Sequence, residues 1–169
     1  MSVQSSASTS ASSPHRRMLI GIGNEYRGDD GLGVMVAREL RRRAHPGLAV
    51  VEQSGEGTSL IAAWQGAHCV QIVDAAACGE PPGTIYRFDV TRQHLPQGLT
   101  HSSGHSFGLL EAIEMARHLN ELPPTIVVYA IEGESFGLGT GLSTVVVRCV
   151  PGLIRLIEDD LCGMLAPPS

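Results

Sequence analysis

Residues Leu19 to Gly33 read Leu-Ile-Gly-Ile-Gly-Asn-Glu-Tyr-Arg-Gly-Asp-Asp-Gly-Leu-Gly, and no other stretch constrains the fold as much. An apolar run enters a Gly-x-Gly-Asn turn. A short loop leads to two adjacent aspartates, and Gly-Leu-Gly then opens an amphipathic segment. This is the pattern of a buried strand, a tight turn and a helix start. The glycines allow positive φ or a close approach of another segment. Taken alone, Asp29 and Asp30 read as one helix cap and one solvated carboxylate, because acids suit the positive end of a helix dipole.

The rest of the chain repeats the alternation. Met18 to Gly23 is the first strand, and Asp30 to Arg43 a helix with Leu32, Met35, Val36 and Leu40 at helical spacing. His45-Pro46-Gly47 stops it. Leu48 to Glu52 is a short strand, and a helix capped by Thr58 or Ser59 runs to Trp64. Cys69 to Val73 is an apolar strand ending at Asp74, and Thr84 to Val90 has the alternating character of an edge strand. A polar loop from Thr91 to Ser103 precedes a helix from His105 to about Asn120, with Leu109, Ile113, Ala116 and Leu119 facing inward. Thr125 to Ile131 is a further buried strand, and the last helix runs from Leu142 to about Met164. Near-unbroken apolar strands separated by helices require a sheet covered on both faces. The expected architecture is therefore α/β: three α/β/α layers around a mostly parallel sheet of about five strands.

Length and composition agree with one domain over residues 16–166, preceded by a Ser/Ala/Thr-rich tail over 1–15 that cannot bury enough apolar surface to order itself. The chain has 169 residues, 43% of them hydrophobic, and a net charge of -5. That balance argues against a nucleic-acid partner, which needs a basic face. Arg38, Arg41, Arg42 and Arg43 form a basic cluster at the end of the first helix, where cations suit the dipole. Four scattered cysteines without a Cys-x-x-Cys pair read as reduced thiols. No apolar run reaches membrane-spanning length, and the run after Arg16-Arg17 is too quickly broken to be an export signal, so a cytoplasmic location is expected.

In an open parallel sheet, ligands bind beyond the carboxyl ends of the strands. The expected topology brings Asp30, Asp74 and Glu132 to that rim, with His105 at a helix start beside it. Two carboxylates and an imidazole can hold a divalent transition metal or position a water. Other chemistries lack their residues. Tyr26 stands where a dinucleotide fingerprint needs its third glycine, and no His-Glu-x-x-His helix occurs. The Gly-x-Gly-Asn opening is also similar to that of peptidyl-tRNA hydrolases. The histidine of that family's following loop is missing here, and an acidic chain suits tRNA poorly.

Three segments in order resemble the maturation endopeptidases of nickel–iron hydrogenases. They are Gly21 to Gly33, Ile72-Val73-Asp74-Ala75, and Ser102-Ser103-Gly104-His105-Ser106-Phe107-Gly108-Leu109. The resemblance covers Met18 to about Leu161. It implies a phosphorylase/hydrolase-like fold and removal of a C-terminal extension from a hydrogenase large-subunit precursor after nickel insertion. Asp30, Asp74 and His105 would be the catalytic and metal-engaging residues, acting on nickel carried by the substrate, with no permanent cofactor. The precursor would be the partner, with no nucleic acid and no membrane involved. One departure is Ser54-Gly55-Glu56-Gly57-Thr58, where many members show Asp-Gly-Gly-Thr. The same three residues would also serve a non-catalytic, metal-sensing accessory protein that binds the precursor.

Overall fold

Five strands and four helices form along the residues that the computed structural model describes, which are 17–97, 99 and 107–163. In chain order they are β1 (Arg17–Ile22), α1 (Leu32–Arg43), β2 (Leu48–Gln53), α2 (Gly57–Trp64) and β3 (Cys69–Ala76). There follow β4 (Ile85–Asp89), α3 (Leu109–His118), β5 (Thr125–Glu132) and α4 (Thr144–Gly163). The sheet order is β2-β1-β3-β5-β4, parallel except for β4, which runs antiparallel to β5 at the edge.

Side-chain alternation along the strands builds two cores. Met18, Ile20 and Ile22 of β1 face α2 and α3 and pack with Leu60, Trp64, Leu109 and Ile113. Leu19 faces the other way, with Leu32 and Leu40 of α1 and Ile154 and Ile157 of α4. Strand β5 divides likewise, Ile126 and Val128 to the first core, Val127 and Tyr129 to the second. Apolar residues on both faces are what a sheet between two helical layers demands, and the expected three-layer α/β/α arrangement is observed.

The glycines of the opening motif seat α1 on the sheet. A Cβ at Gly21 would lie 2.1 Å from the Gly33 carbonyl oxygen, and one at Gly33 would lie 2.2 Å from that of Ile22 and 2.3 Å from that of Val73. Helix and strand backbones therefore touch at the C-terminal end of β1, a spacing no larger residue permits. Gly23 adds a backbone conformation of φ +142°, where a side chain would strike the Asp30 carbonyl.

Helix α4 begins Thr-Val-Val-Val, which intrinsic preference alone would make a strand. Each β-branched residue costs at most about 0.7 kcal/mol in a helix. Burying each of Val146, Leu153, Ile154 and Ile157 is worth about 1.5–3 kcal/mol, so packing decides for the helix. The same burial offsets Pro151 inside the helix, which costs about 3 kcal/mol.

Several local expectations are corrected. The helix expected from Asp30 begins at Leu32, after a 3-10 turn over Gly28–Gly31 in which the Asp30 N–H bonds back to the Arg27 carbonyl at 3.2 Å. Asp74 does not end its strand: β3 continues to Ala76, held by pairing with β5 as far as Glu132. Neither Thr58 nor Ser59 caps α2. Glu56 does, accepting their backbone N–H groups at 3.0 and 2.9 Å. Leu119 is 53% exposed, since α3 ends at His118 and Leu119 is its C-terminal cap. The tail over 1–15, the segment 100–106 and the residues after Gly163 lie outside the described residues.

Candidate functional site

Two of the three candidate residues are described, and both sit at the carboxyl end of the parallel strands. Asp30 belongs to the 3-10 turn that follows β1, and Asp74 to β3, against which that turn packs. They are 2% and 3% exposed. The turn is pinned by its backbone: the Asp30 N–H donates to the Arg27 carbonyl at 3.2 Å, and the Asp30 carbonyl accepts from the Asn24 N–H at 3.1 Å. Asp74 accepts a bond from the Ala75 N–H at 2.8 Å. Burial pushes the Asp74 carboxyl well above the ordinary carboxylate range. The Ala75 hydrogen bond opposes that shift, and the nearby Asp30 charge adds to it.

His105 lies outside the described residues. The chain two residues later is held at the same rim. The Phe107 carbonyl accepts from Gly57 N–H at 3.0 Å, at the start of α2, and a Cβ on Gly57 would meet the Phe107 ring at 2.2 Å. Among the described residues no three His, Cys, Asp or Glu side chains gather closely enough to hold an ion. Asp30 and Asp74 contribute two hard oxygen donors, a set that suits a divalent cation once a further ligand is supplied.

Glu132 reaches the rim but serves another purpose. It is 2% exposed and accepts bonds from the Gly79 N–H at 2.8 Å and the Tyr86 hydroxyl at 3.1 Å. It thereby ties the β3–β4 connection and β4 to the end of β5. Glu56, the departure noted in the second strand-to-helix turn, is fully engaged as a cap. Hydroxyl and backbone bonds from Thr58 and Ser59 lower its pKa to about 2.

Asp29 has a role that sequence reasoning placed only loosely. It is fully buried, and its Oδ2 accepts from the N–H groups of Glu134 and Ser135 at 2.7 and 2.9 Å. Its Oδ1 accepts from the Ser143 N–H at 2.7 Å. One carboxylate thus grips both ends of the 133–143 loop. Gly28 and Gly139 complete the junction: the Gly28 N–H bonds to the Gly139 carbonyl and the Gly139 N–H to the Tyr26 carbonyl, both at 3.0 Å. The adjacent Asp30 is consequently held in a backbone fixed from two sides.

Known proteins share this fold. A family model described as hydrogenase maturation protease (HycI) matches residues 34–160. Protein FrxA of Pyrococcus furiosus is 30% identical over 132 residues, covering 77% of this chain and 93% of FrxA. The NiFe hydrogenase maturation protease HycI from Thermococcus kodakarensis superposes with a TM-score of 0.64 at 26% identity, over 86% of this chain and 91% of that one. The hydrogenase maturating endopeptidase HybD from E. coli shares the fold with a TM-score of 0.73 at 19% identity, over 89% and 94% of the two chains. The sheet order and a family match spanning α1 to α4 converge on one conclusion: this chain belongs to the hydrogenase maturation protease family, whose members are peptidases.

Proposed function

We propose that this protein removes the C-terminal extension of a nickel–iron hydrogenase large-subunit precursor after nickel insertion, and that Asp30, Asp74 and His105 recognise the nickel the precursor carries. The observation that supports this reading is the Asp30–Asp74 pair. Two buried carboxylates oppose each other's ionisation, and a divalent cation arriving with the substrate relieves the opposition. Oxygen donors with one imidazole suit a borderline ion such as nickel. A bound cation favours the ionised form of Asp74 that burial disfavours, so recognition of the ion and ionisation of the site are linked. The ion of the precursor would supply Lewis acidity for the scissile carbonyl, and either it or a carboxylate of this chain would activate the attacking water. The chain's own carboxylates hold that ion and orient the segment to be cut.

The test is intact-mass spectrometry of purified precursor incubated with this protein, with and without nickel loading. Loss of a C-terminal peptide in the loaded sample alone is expected. Asp74→Asn and His105→Ala should each abolish the loss while circular dichroism shows an unchanged fold. Wild-type processing rates in both variants would remove the site assignment. Stable binding with no shortening would replace the peptidase reading with that of an accessory protein.

A further inference from the structure

The turn that carries Asp30 is too short to fix that carboxylate by itself. It is a 3-10 turn of four residues, Gly28–Gly31, with no side-chain cap, and 3-10 bonds have poorer geometry than those of an α-helix. Its backing is the 133–143 loop. A Cβ on Gly28 would lie 2.5 Å from the Ser135 carbonyl oxygen, and one on Gly133 would lie 3.1 Å from the Asp29 Cβ, so turn and loop touch closely. The loop has little packing of its own, since residues 134, 135 and 137–140 are exposed and Phe136 and Leu142 pack only partly against the core of α1 and α4. Backbone bonds and the three bonds to the Asp29 carboxylate hold the rest. Asp29 is fully buried with both oxygens engaged, so any effect it has on a ligand passes through its neighbour.

We propose that Asp29 is the positioning residue of nickel recognition: by clamping the 133–143 loop against the turn, it fixes Asp30 where the nickel of the precursor is met, and so sets how much more tightly nickel-loaded precursor binds than nickel-free precursor. The role of the nickel rests on the reading above. A carboxylate suits this clamp because all three partners are N–H donors and it offers only acceptors. Asparagine fills the same volume with a single oxygen. Turned either way, its NH2 group faces at least one of those N–H groups.

Two variants loosen the junction from opposite sides without touching Asp30 or Asp74. Asp29→Asn removes an acceptor, whereas Gly28→Ala leaves the carboxylate intact and drives a Cβ against the Ser135 carbonyl. Each is titrated with purified precursor, nickel-loaded and nickel-free, at a temperature where circular dichroism shows the fold intact; if one fails to fold, the other decides. Wild type is expected to bind the loaded precursor more tightly. In the variants that ratio of affinities should fall by about tenfold or more, as when a partner behind a metal ligand is lost, while nickel-free binding stays within about twofold. Leu153→Ala, in the core of α1 and α4 and about 15 Å along the helix from Ser143, controls for lost stability and should leave the ratio unchanged. A wild-type ratio in either variant overturns the proposal and leaves the nickel reading standing. An equal fall in Leu153→Ala, or an equal loss of nickel-free binding, assigns the effect to stability and also overturns it. A wild type without preference for the loaded precursor removes the nickel reading and the proposal with it. If wild type prefers the loaded precursor but does not cut it, the peptidase reading falls and the ratio still decides the role of Asp29.

Discussion

Asp29 and Asp30 are neighbours of the same type, yet their surroundings give them opposite duties. Asp29 spends both oxygens on three backbone N–H groups and holds a loop, whereas Asp30 lies beside Asp74 and raises its pKa. A hydrogen bond to a charged group contributes about 1.5–3 kcal/mol, and three share this acceptor. Asp29→Ala should therefore destabilise the protein by about 3 kcal/mol or more in urea unfolding. A loss below about 1 kcal/mol would mean that the 133–143 loop is held by other contacts. The sequence alone takes Asp29 for a cap or an acceptor that orients the loop, and it does not identify the partners because they are far away. They lie 105 to 114 residues along the chain, beyond the reach of any turn or helix rule.

At the scale of elements, Glu56 shows how a departure from a family pattern finds a structural use. Its side chain spans the first turn of α2, bonding both backbone and hydroxyl groups of Thr58 and Ser59. The folded-state pKa is depressed to about 2 from 4.5. A depressed carboxyl contributes stability above its unfolded pKa and loses that contribution as pH falls through the folded value. The melting temperature should thus decline as pH drops from about 4.5 to about 2. Glu56→Gln should flatten this part of the curve, because a neutral amide has no charge to titrate. An identical slope in the variant would assign the acid sensitivity to other carboxylates. The position of α1 was easier to anticipate than the cap of α2. Gly21 and Gly33 are visible in the motif, and their spacing announces a close helix–strand contact that the structure contains.

For the whole molecule, one sheet serves two cores, and this makes a cooperative unit of the described residues. Each parallel strand contributes alternate residues to each side, so neither helical layer can leave without exposing the strands that the other covers. Trp64, the single tryptophan, is 1% exposed in the core of α2 and α3. Its emission should shift to the red on unfolding, with a midpoint coinciding with loss of the far-ultraviolet helix signal, much of which comes from α1 and α4 on the opposite face. Separate midpoints would show that the two layers melt independently. The strand and helix order, the three layers and the two acidic motifs were legible in the sequence. They depend on apolar periodicity and on glycine and acid spacing, which are properties of short windows. Tertiary structure alone decided the antiparallel β4, the burial of Asp74 inside a lengthened β3 and the Asp29 grip on the 133–143 loop. Each of these depends on which distant segment meets the residue, and a window of sequence contains the donors and acceptors but not their partners.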